Sequence, residues 1–200
     1  YIQPMAEVET KNPTIEELYK NGAHFGFSKS RRHPSANAYL YTSKNRNDIF
    51  DLEKTNESLD VALEFVKSLA EKKETILLVG GKNEARNIVR ETAEAMDMPY
   101  VASRWIGGTL TNFTEIKKRV DTMLSLISQK EKGELAKYTK KERLLIDRDI
   151  EKLQKMFWGI SKMSSMPKAL FIVDPRYEDI ALKEAKLLKI PVIALCGTDN

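Results

Sequence analysis

The stretch ETILLVGGKNEARNIVRETAEAM, residues 74–96, is the most informative part of the chain for the fold class. It begins as a fully apolar strand and continues as an amphipathic helix. Further apolar strands and amphipathic helices follow at 98–106, 168–175, 177–189 and 190–197. Continuous apolar strands separated by amphipathic helices are typical of a parallel sheet that is covered on both faces. The sequence therefore predicts a doubly wound α/β domain.

This alternation stops between Asn112 and Ser161, where two series of apolar residues recur at spacings of 4, 3 and 4. The series are Ile116, Val120, Met123 and Ile127, and then Ile146, Ile150, Leu153 and Phe157. Two helices with matching apolar seams and a polar, glycine-containing connection are expected to form an antiparallel coiled-coil hairpin. Two more sheet-covering helices are the less favoured alternative, because no strand separates the seams and the outer faces are heavily charged.

The chain is accordingly expected to have three parts. These are a polar N-terminal tail (1–13), an α/β core domain (14–111 and 162–200) and an inserted helical hairpin (112–161). Within the core, Thr14 and Glu17 have the spacing of a capping box and predict a short helix. The segment DIFDL (48–52) is a candidate strand.

The composition sets broad limits on function. The 200 residues include 33 Lys and Arg against 29 Asp and Glu, a net charge of only +4, so an anionic partner is indicated only where the charge is clustered. A single cysteine, Cys196, excludes an internal disulfide framework and is typical of a reducing compartment. No apolar run reaches the ~20 residues that a membrane span needs. The start of the chain also lacks the apolar segment of a secretory signal.

A nucleotide-binding enzyme is the first alternative that the fold suggests. GGK at 80–82 follows a strand and opens a helix, but the apolar strand before it has no glycine where a phosphate-binding loop has its first one. Asn83 stands where that loop has its metal-binding hydroxyl. We therefore interpret Gly80 and Gly81 as a strand end and Asn83 as the cap of the following helix.

Other catalytic or metal chemistry has equally little support. Asp174 and Pro175 follow a strand, and we interpret them as the cap and first residue of a helix rather than as a catalytic pair. His24, His33 and Cys196 lack a second pair of metal ligands nearby, so neither a metal nor a cofactor is predicted. His24 is expected to be a packed or capping residue rather than a general base.

Basic residues, in contrast, are clustered in three places. Residues 26–47 contain five basic residues and no acid, with Tyr39 and Tyr41 among them. Three consecutive basic residues, 117–119, lie where the first hairpin helix starts, and the range 130–143 surrounds the hairpin tip. Clustered Lys and Arg bind a nucleic-acid backbone through charge and counterion release. A solvated surface explains any one cluster equally well, but three clusters together favour nucleic-acid binding.

The segment RWIGGTLTNF (104–113) precedes the hairpin. Asn112 is predicted to cap the hairpin helix, with Glu115 three residues later. Arg104 and the hydroxyls of Thr109 and Thr111 are expected to donate to phosphate or ribose. Trp105 is expected to pack in the core rather than to stack on a base. Gly107 and Gly108 would let another backbone approach closely.

Several blocks resemble, in order, the bacterial-type small-subunit ribosomal protein S-two family. They are HFGF (24–27), IFDLEKT (49–55), VGGKNEA (79–85), MPYVASRWIGGTLTNFTEIKKR (98–119) and VDPRYEDIALKEAKLLKIPVIAL (173–195). The resemblance implies a Rossmann-like (flavodoxin-like) doubly wound parallel sheet with a protruding helical hairpin, as the periodicity also predicts. Three features depart from the family pattern: Phe27 in place of a second histidine, the segment RRHPSAN (31–37) in place of the usual Trp-Asn-Pro-Lys-Met, and Gly197 in place of an aspartate.

By this resemblance the protein is a non-catalytic structural constituent of the small ribosomal subunit in a cytoplasmic, bacterial ribosome, with an organellar ribosome as the alternative. Its implied partners are small-subunit ribosomal RNA and other small-subunit proteins, including protein S-one, with no membrane and no small-molecule substrate. The candidate RNA-binding residues are Lys29, Arg31, Arg32, Lys44, Arg46, Arg104, Thr109, Thr111, Asn112, Lys117, Lys118 and Arg119. Two other hypotheses stay open: a phosphate-handling α/β enzyme that has kept the fold, and a protein-interaction scaffold whose hairpin docks a partner helix.

Overall fold

The computed structural model describes residues 13–200, so nearly all of the predicted N-terminal tail lies outside the described residues. The described chain forms two compact units: residues 13–68 together with Gly197–Asn200, and Leu69–Cys196. The division falls inside α2 (Leu52–Glu71). The domain boundaries proposed from the sequence stay a prediction.

The first unit contains a short helix and a three-stranded antiparallel sheet. Helix α1 (Ile15–Lys20) begins with the predicted capping box, in which Glu17 N donates to Thr14 Oγ1 and Thr14 N donates to the Glu17 carboxylate. The strands are β1 (Phe25–Ser28), β2 (Leu40–Lys44) and β3 (Asn47–Phe50), in the order β1-β3-β2. Only β3 was expected, since β1 and β2 lie in the basic run without an alternating apolar pattern.

The C-terminal residues complete this first unit. Thr198 is fully buried, its hydroxyl accepts from Phe27 N at 2.9 Å, and its carbonyl accepts from His33 N at 2.8 Å. Gly26 makes this approach possible, because a Cβ there would lie 2.5 Å from Thr198 Cγ2. The residues after Cys196 thus hold β1 from 171 positions away in the sequence.

The second unit is built on a four-stranded parallel sheet. Its strands are β4 (Ile76–Val79), β5 (Tyr100–Val101), β6 (Ala169–Val173) and β7 (Val192–Leu195), in the order β5-β4-β6-β7. All three pairings are parallel, with Leu77 opposite Leu170 in the central pair. Both residues are completely buried, as expected for strands that are covered on two sides.

Successive residues of β4 pack on opposite faces of the sheet. Leu78 packs with Val89 and Ala93 of α3 (Asn83–Ala95). Leu77 and Val79, on the other face, belong to the larger core. That core also contains buried alanines of α6 (Asp179–Leu187) and residues of the hairpin. Helices therefore cover both faces, and the predicted doubly wound α/β fold is confirmed.

The hairpin consists of α4 (Phe113–Glu131) and α5 (Lys140–Phe157), which pack against each other. The predicted seams point inward: Val120, Met123 and Phe157 are buried in the main core. Near the tip, Lys130 Nζ lies 2.7 Å from Asp147 Oδ1, which pairs the end of α4 with the first half of α5. The helices are thus antiparallel. Leu135, in the connecting 3-10 helix Glu134–Lys137, is also buried.

Three predicted helix caps differ from the structure. The cap of α3 is Lys82, so Asn83 is already helical. Asn112 does occupy the cap position of α4, but its side chain makes no capping hydrogen bond. Asp174 does not start a helix: α6 begins at Asp179, and Asp174 adopts a positive φ of 61° in the preceding turn. In that turn the Asp174 carbonyl accepts from two later amides, so the chain turns before the helix starts.

Candidate nucleic-acid interface

In the first unit, two basic segments that are separate in sequence lie side by side. Lys29 N donates to the Arg46 carbonyl at 2.8 Å, which joins the 3-10 helix Lys29–Arg31 to the turn between β2 and β3. That turn has two central residues with positive φ, Asn45 at 52° and Arg46 at 66°. Lys29, Arg31, Lys44 and Arg46 are exposed, and we refer to them as the N-terminal basic surface. The tertiary structure therefore brings four of the five predicted basic residues together.

Arg32, the fifth, is engaged inside this unit. Its Nε donates to Asp48 Oδ2 at 2.8 Å, its terminal nitrogen forms an ion pair with Asp48 Oδ1, and it also donates to Ser43 Oγ at 2.6 Å. The Asp48 side chain is fully buried, and its hydrogen bond with Arg32 lowers the pKa of that carboxyl below its ordinary value. A buried carboxylate needs such a partner. Arg32 is thus engaged in an ion pair within the unit while 20% of its side chain stays exposed, and its RNA contact stays a prediction.

In the second unit, the loop 105–111 is organised around the carboxylate of Glu184 on α6. Five donors point at its two oxygens, and none of them carries a charge. Oε1 accepts from Trp105 Nε1 (3.1 Å) and Gly108 N (2.7 Å), and Oε2 accepts from Leu110 N (3.0 Å), Thr111 N (3.1 Å) and Thr111 Oγ1 (3.2 Å). Burial raises the pKa of Glu184, but these hydrogen bonds outweigh burial, so the pKa lies below its ordinary value.

The hydroxyls of Thr109 and Thr111 have partners inside the protein, and their contacts with RNA stay a prediction. Thr109 is buried and donates to the Ile106 carbonyl at 2.6 Å, and the hydroxyl of Thr111 donates to Glu184. Trp105 is only 4% exposed, which confirms that it packs in the core. Gly108 has a φ of +91°, a left-handed conformation that glycine adopts at little cost.

The basic residues around this loop are on the outside. Arg104, Lys117, Lys118 and Arg119 are exposed, and we refer to them as the α4 basic surface. The last three lie between the buried residues Ile116 and Val120 of α4, so they occupy its solvent side. Asn112, at the start of the helix, is exposed as well. Lys118 is paired with Glu115 at 2.6 Å, an exposed ion pair of small energetic weight.

The carboxyl ends of the parallel strands are occupied by the protein's own side chains. Glu178 Oε1 accepts from Gly81 N at 2.9 Å, and Lys82 Nζ lies 2.9 Å from Asp174 Oδ2. Burial raises the pKa of Glu178 above its ordinary value. A phosphate at the start of α3 would need the position that the Glu178 carboxylate fills. This geometry gives no support to the phosphate-handling alternative.

The remaining candidates for chemistry are structural or isolated. The His24 ring stacks on Tyr19 with centroids 4.3 Å apart, which confirms the packed interpretation. Cys196 is a free, exposed cysteine. Among residues 13–200, no group of three His, Cys, Asp or Glu side chains is placed to hold a metal ion. Within that same range no helix is both long and apolar enough to cross a membrane.

These features define a class: an α/β protein with a helical hairpin, whose strand ends are filled by its own carboxylates and whose basic residues lie on exposed surfaces. Comparison with known families identifies the class further. The profile of the family "Ribosomal protein S2" matches residues 18–200. This chain belongs to the ribosomal protein S2 family, as the sequence blocks predicted.

Individual relatives agree with this assignment. The "Small ribosomal subunit protein uS2" of Roseiflexus castenholzii is 42% identical over 186 residues, which cover 93% of this chain and 71% of the relative. The protein of that name from Thermus thermophilus is 42% identical over 187 residues, covering 94% and 73%. The one from Hahella chejuensis is 41% identical, covering 94% and 74%. The family consists of structural ribosomal proteins, so the expectation that this chain is not an enzyme is confirmed.

Proposed function

We propose that this chain is a structural constituent of the small ribosomal subunit, cytoplasmic or organellar, that binds small-subunit ribosomal RNA through the N-terminal basic surface and the α4 basic surface. The observation that carries the proposal is the hydrogen bond from Lys29 N to the Arg46 carbonyl. It joins two acid-free basic segments into one surface, and such a surface suits a phosphate backbone. Family membership supports the same function.

The N-terminal basic surface also carries aromatic groups. Tyr41, on β2, is 77% exposed, and the Arg31 guanidinium lies 5.5 Å from the centre of the Phe27 ring. Exposed aromatic rings among basic residues suit RNA, because unpaired bases stack on them.

Neighbouring small-subunit proteins are the second class of partner that we propose. The hairpin exposes three leucines: Leu124 to 42%, Leu144 to 51% and Leu145 to 50%. Apolar side chains on a charged helical pair favour contact with another protein. The resemblance to the family adds protein S-one to the proposed neighbours. Because such contacts bury apolar area, a Leu144→Asp variant should weaken protein contacts without changing the salt dependence of RNA binding.

The test of the proposed function is sedimentation of a lysate of the source organism through sucrose gradients at low and high salt. The chain should migrate with the small subunit at low salt and be released as the salt concentration rises. A chain that stays at the top of the gradient in both salts would refute the proposal. A small phosphorylated ligand would then be sought at the strand ends.

Charge reversal tests the assigned residues one at a time. Arg31→Glu, Arg104→Glu, Lys118→Glu and Arg119→Glu should each weaken binding to small-subunit ribosomal RNA and reduce its salt slope by about one. Lys67→Glu, at an exposed lysine of α2 outside both surfaces, is the matched control. A reversed residue that leaves affinity and slope at the level of this control does not contact the RNA.

A further inference from the structure

Both ends of the loop 105–111 depend on one buried carboxylate. The first is held through the indole nitrogen of Trp105, and the last through the amide and the hydroxyl of Thr111, all of which donate to Glu184. Arg104 directly precedes this loop, and Asn112, the cap of α4, directly follows it. The two sides of the α4 basic surface are therefore joined through Glu184.

We propose that Glu184 is the positioning residue for the RNA contacts of the α4 basic surface. This inference rests on the proposed function and adds to it which atoms meet the RNA. The amides of Gly108, Leu110 and Thr111 converge on one point just before a helix, an arrangement that elsewhere binds phosphate. Here Glu184 occupies that point. The RNA backbone accordingly meets the outward groups, Arg104 and the start of α4, and not the loop amides.

The chemistry of the five contacts requires a carboxylate rather than any polar side chain of that size. All five groups are donors, and they are divided between the two oxygens. A glutamine offers one acceptor oxygen and turns an amide NH₂ towards the remaining donors. Glu184→Gln therefore keeps the shape of the side chain but removes hydrogen bonds that keep the loop ordered.

The experiment compares E184Q with E178Q in the full chain. Glu178 is also buried and belongs to the same unit, but it accepts one amide, from Gly81, which a glutamine oxygen can still do. Affinity is measured on small ribosomal subunits washed free of the endogenous protein, over a range of salt concentrations. E184Q should bind about tenfold more weakly with a reduced salt slope, and E178Q should stay within about twofold of the wild type.

Amide hydrogen exchange of Gly108, Leu110 and Thr111 provides the local measurement. Their exchange should be faster in E184Q, while the exchange of Leu78 and Val79 in the sheet stays slow. Two results would overturn the inference. One is binding by E184Q that equals binding by E178Q. The other is weaker binding with an unchanged salt slope, because the phosphate contacts would then be intact. If the wild-type chain does not bind, the proposed function fails and the inference fails with it.

A second variant covers the case in which E184Q does not fold. Glu184→Asp keeps the charge and both oxygens but shortens the side chain by one methylene. It should lower the affinity by about threefold, with faster exchange of the three loop amides. Unchanged affinity despite faster exchange would show that the order of this loop has no effect on RNA binding, and the inference would be wrong.

Discussion

In each of the two units a buried carboxylate lies close to residues of a basic surface, Asp48 in the first and Glu184 in the second, but the partners of these two carboxylates differ. Asp48, 0% exposed, is paired with the cation Arg32 and accepts from Ser43. Glu184, 8% exposed, has only neutral partners, which are three backbone amides, an indole and a hydroxyl. One site is an ion pair between two side chains, and the other is a loop folded around an anion.

This difference in partners determines whether a carboxylate engages a basic residue of the nearby surface. Asp48 engages one of the five basic residues of its segment, Arg32, in an ion pair, and the other four are exposed. Glu184 has no cationic partner, so it engages none of the basic residues of the α4 basic surface. A charged partner can also be removed together with its carboxylate, whereas a set of backbone amides cannot.

The largest expected effect is on the stability of E184Q. The exchange leaves buried donors without an acceptor, so the free energy of unfolding should fall by about 3 kcal/mol, measured by urea denaturation. E178Q, the matched control, should lose about 1 kcal/mol or less, since Gly81 keeps an acceptor. Equal losses in the two variants would mean that the number of donors on Glu184 has no energetic consequence.

A smaller loss is expected for D48N, about 2 kcal/mol, because the buried amide still accepts a hydrogen bond from Arg32 or Ser43. Here a second substitution should compensate. The double variant R32M/D48N leaves neither a guanidinium nor a carboxylate without its partner, so the total loss should be smaller than the sum of the two single losses. Strict additivity in urea denaturation would show that the pair is not coupled.

The stability contributions of the buried carboxylates should change with pH in opposite directions, because their pKa values are shifted in opposite directions. Asp48 and Glu184 have lowered pKa values in the folded protein, so each stabilises the fold above its unfolded pKa of about 4, and this contribution is lost as the pH falls. Glu178 has a raised pKa, so its contribution is complete at low pH and is lost as the pH rises through the folded value.

Urea denaturation between pH 3 and pH 7 should therefore give opposite trends for the two glutamine variants. The stability of E184Q relative to the wild type should improve as the pH is lowered, and that of E178Q should improve as the pH is raised. Parallel curves would contradict the environments that the structure gives these two glutamates.

The smallest effect is expected at the exposed pair of Lys118 and Glu115. E115Q should change the free energy of unfolding by less than about 0.5 kcal/mol, because exposed ion pairs contribute little. It should slightly strengthen RNA binding by removing a negative charge beside Lys118. A large loss of stability would show that this exposed ion pair contributes as much to the free energy of unfolding as we expect from the buried carboxylates.

Patterns that are local in sequence predicted much of the fold correctly. The apolar run of β4 and the amphipathic α3 identified the parallel sheet, and the seam from Ile116 onward identified the hairpin. Thr14 with Glu17 predicted a helix start, and the family resemblance followed from contiguous blocks. The caps at Asn83 and Asp174 were wrong, because the choice between neighbouring cap positions depends on tertiary contacts such as that of Lys82 with Asp174.

The antiparallel sheet of the first unit could not be predicted in this way. Strand β2 is exposed along most of its length and has no alternating pattern, so neither burial nor periodicity marks it. Its register depends on the turn at Asn45 and Arg46, two residues at positive φ that are not glycine. Arg32 gave no signal either, since a basic residue in a basic run is indistinguishable from its exposed neighbours until Asp48 is placed beside it.

The sequence by itself determined the fold class, the hairpin and the family, because strand and helix periodicity and contiguous motifs are properties of short stretches of chain. Only the tertiary structure decided which polar groups face inward. Glu184 meets Thr111 across 73 positions, and Thr198 meets Phe27 across 171. The physical reason is that a buried carboxylate or hydroxyl must find its hydrogen-bond partners wherever the chain has folded. That requirement explains why Arg32 pairs with Asp48 while the other basic residues of its segment are exposed.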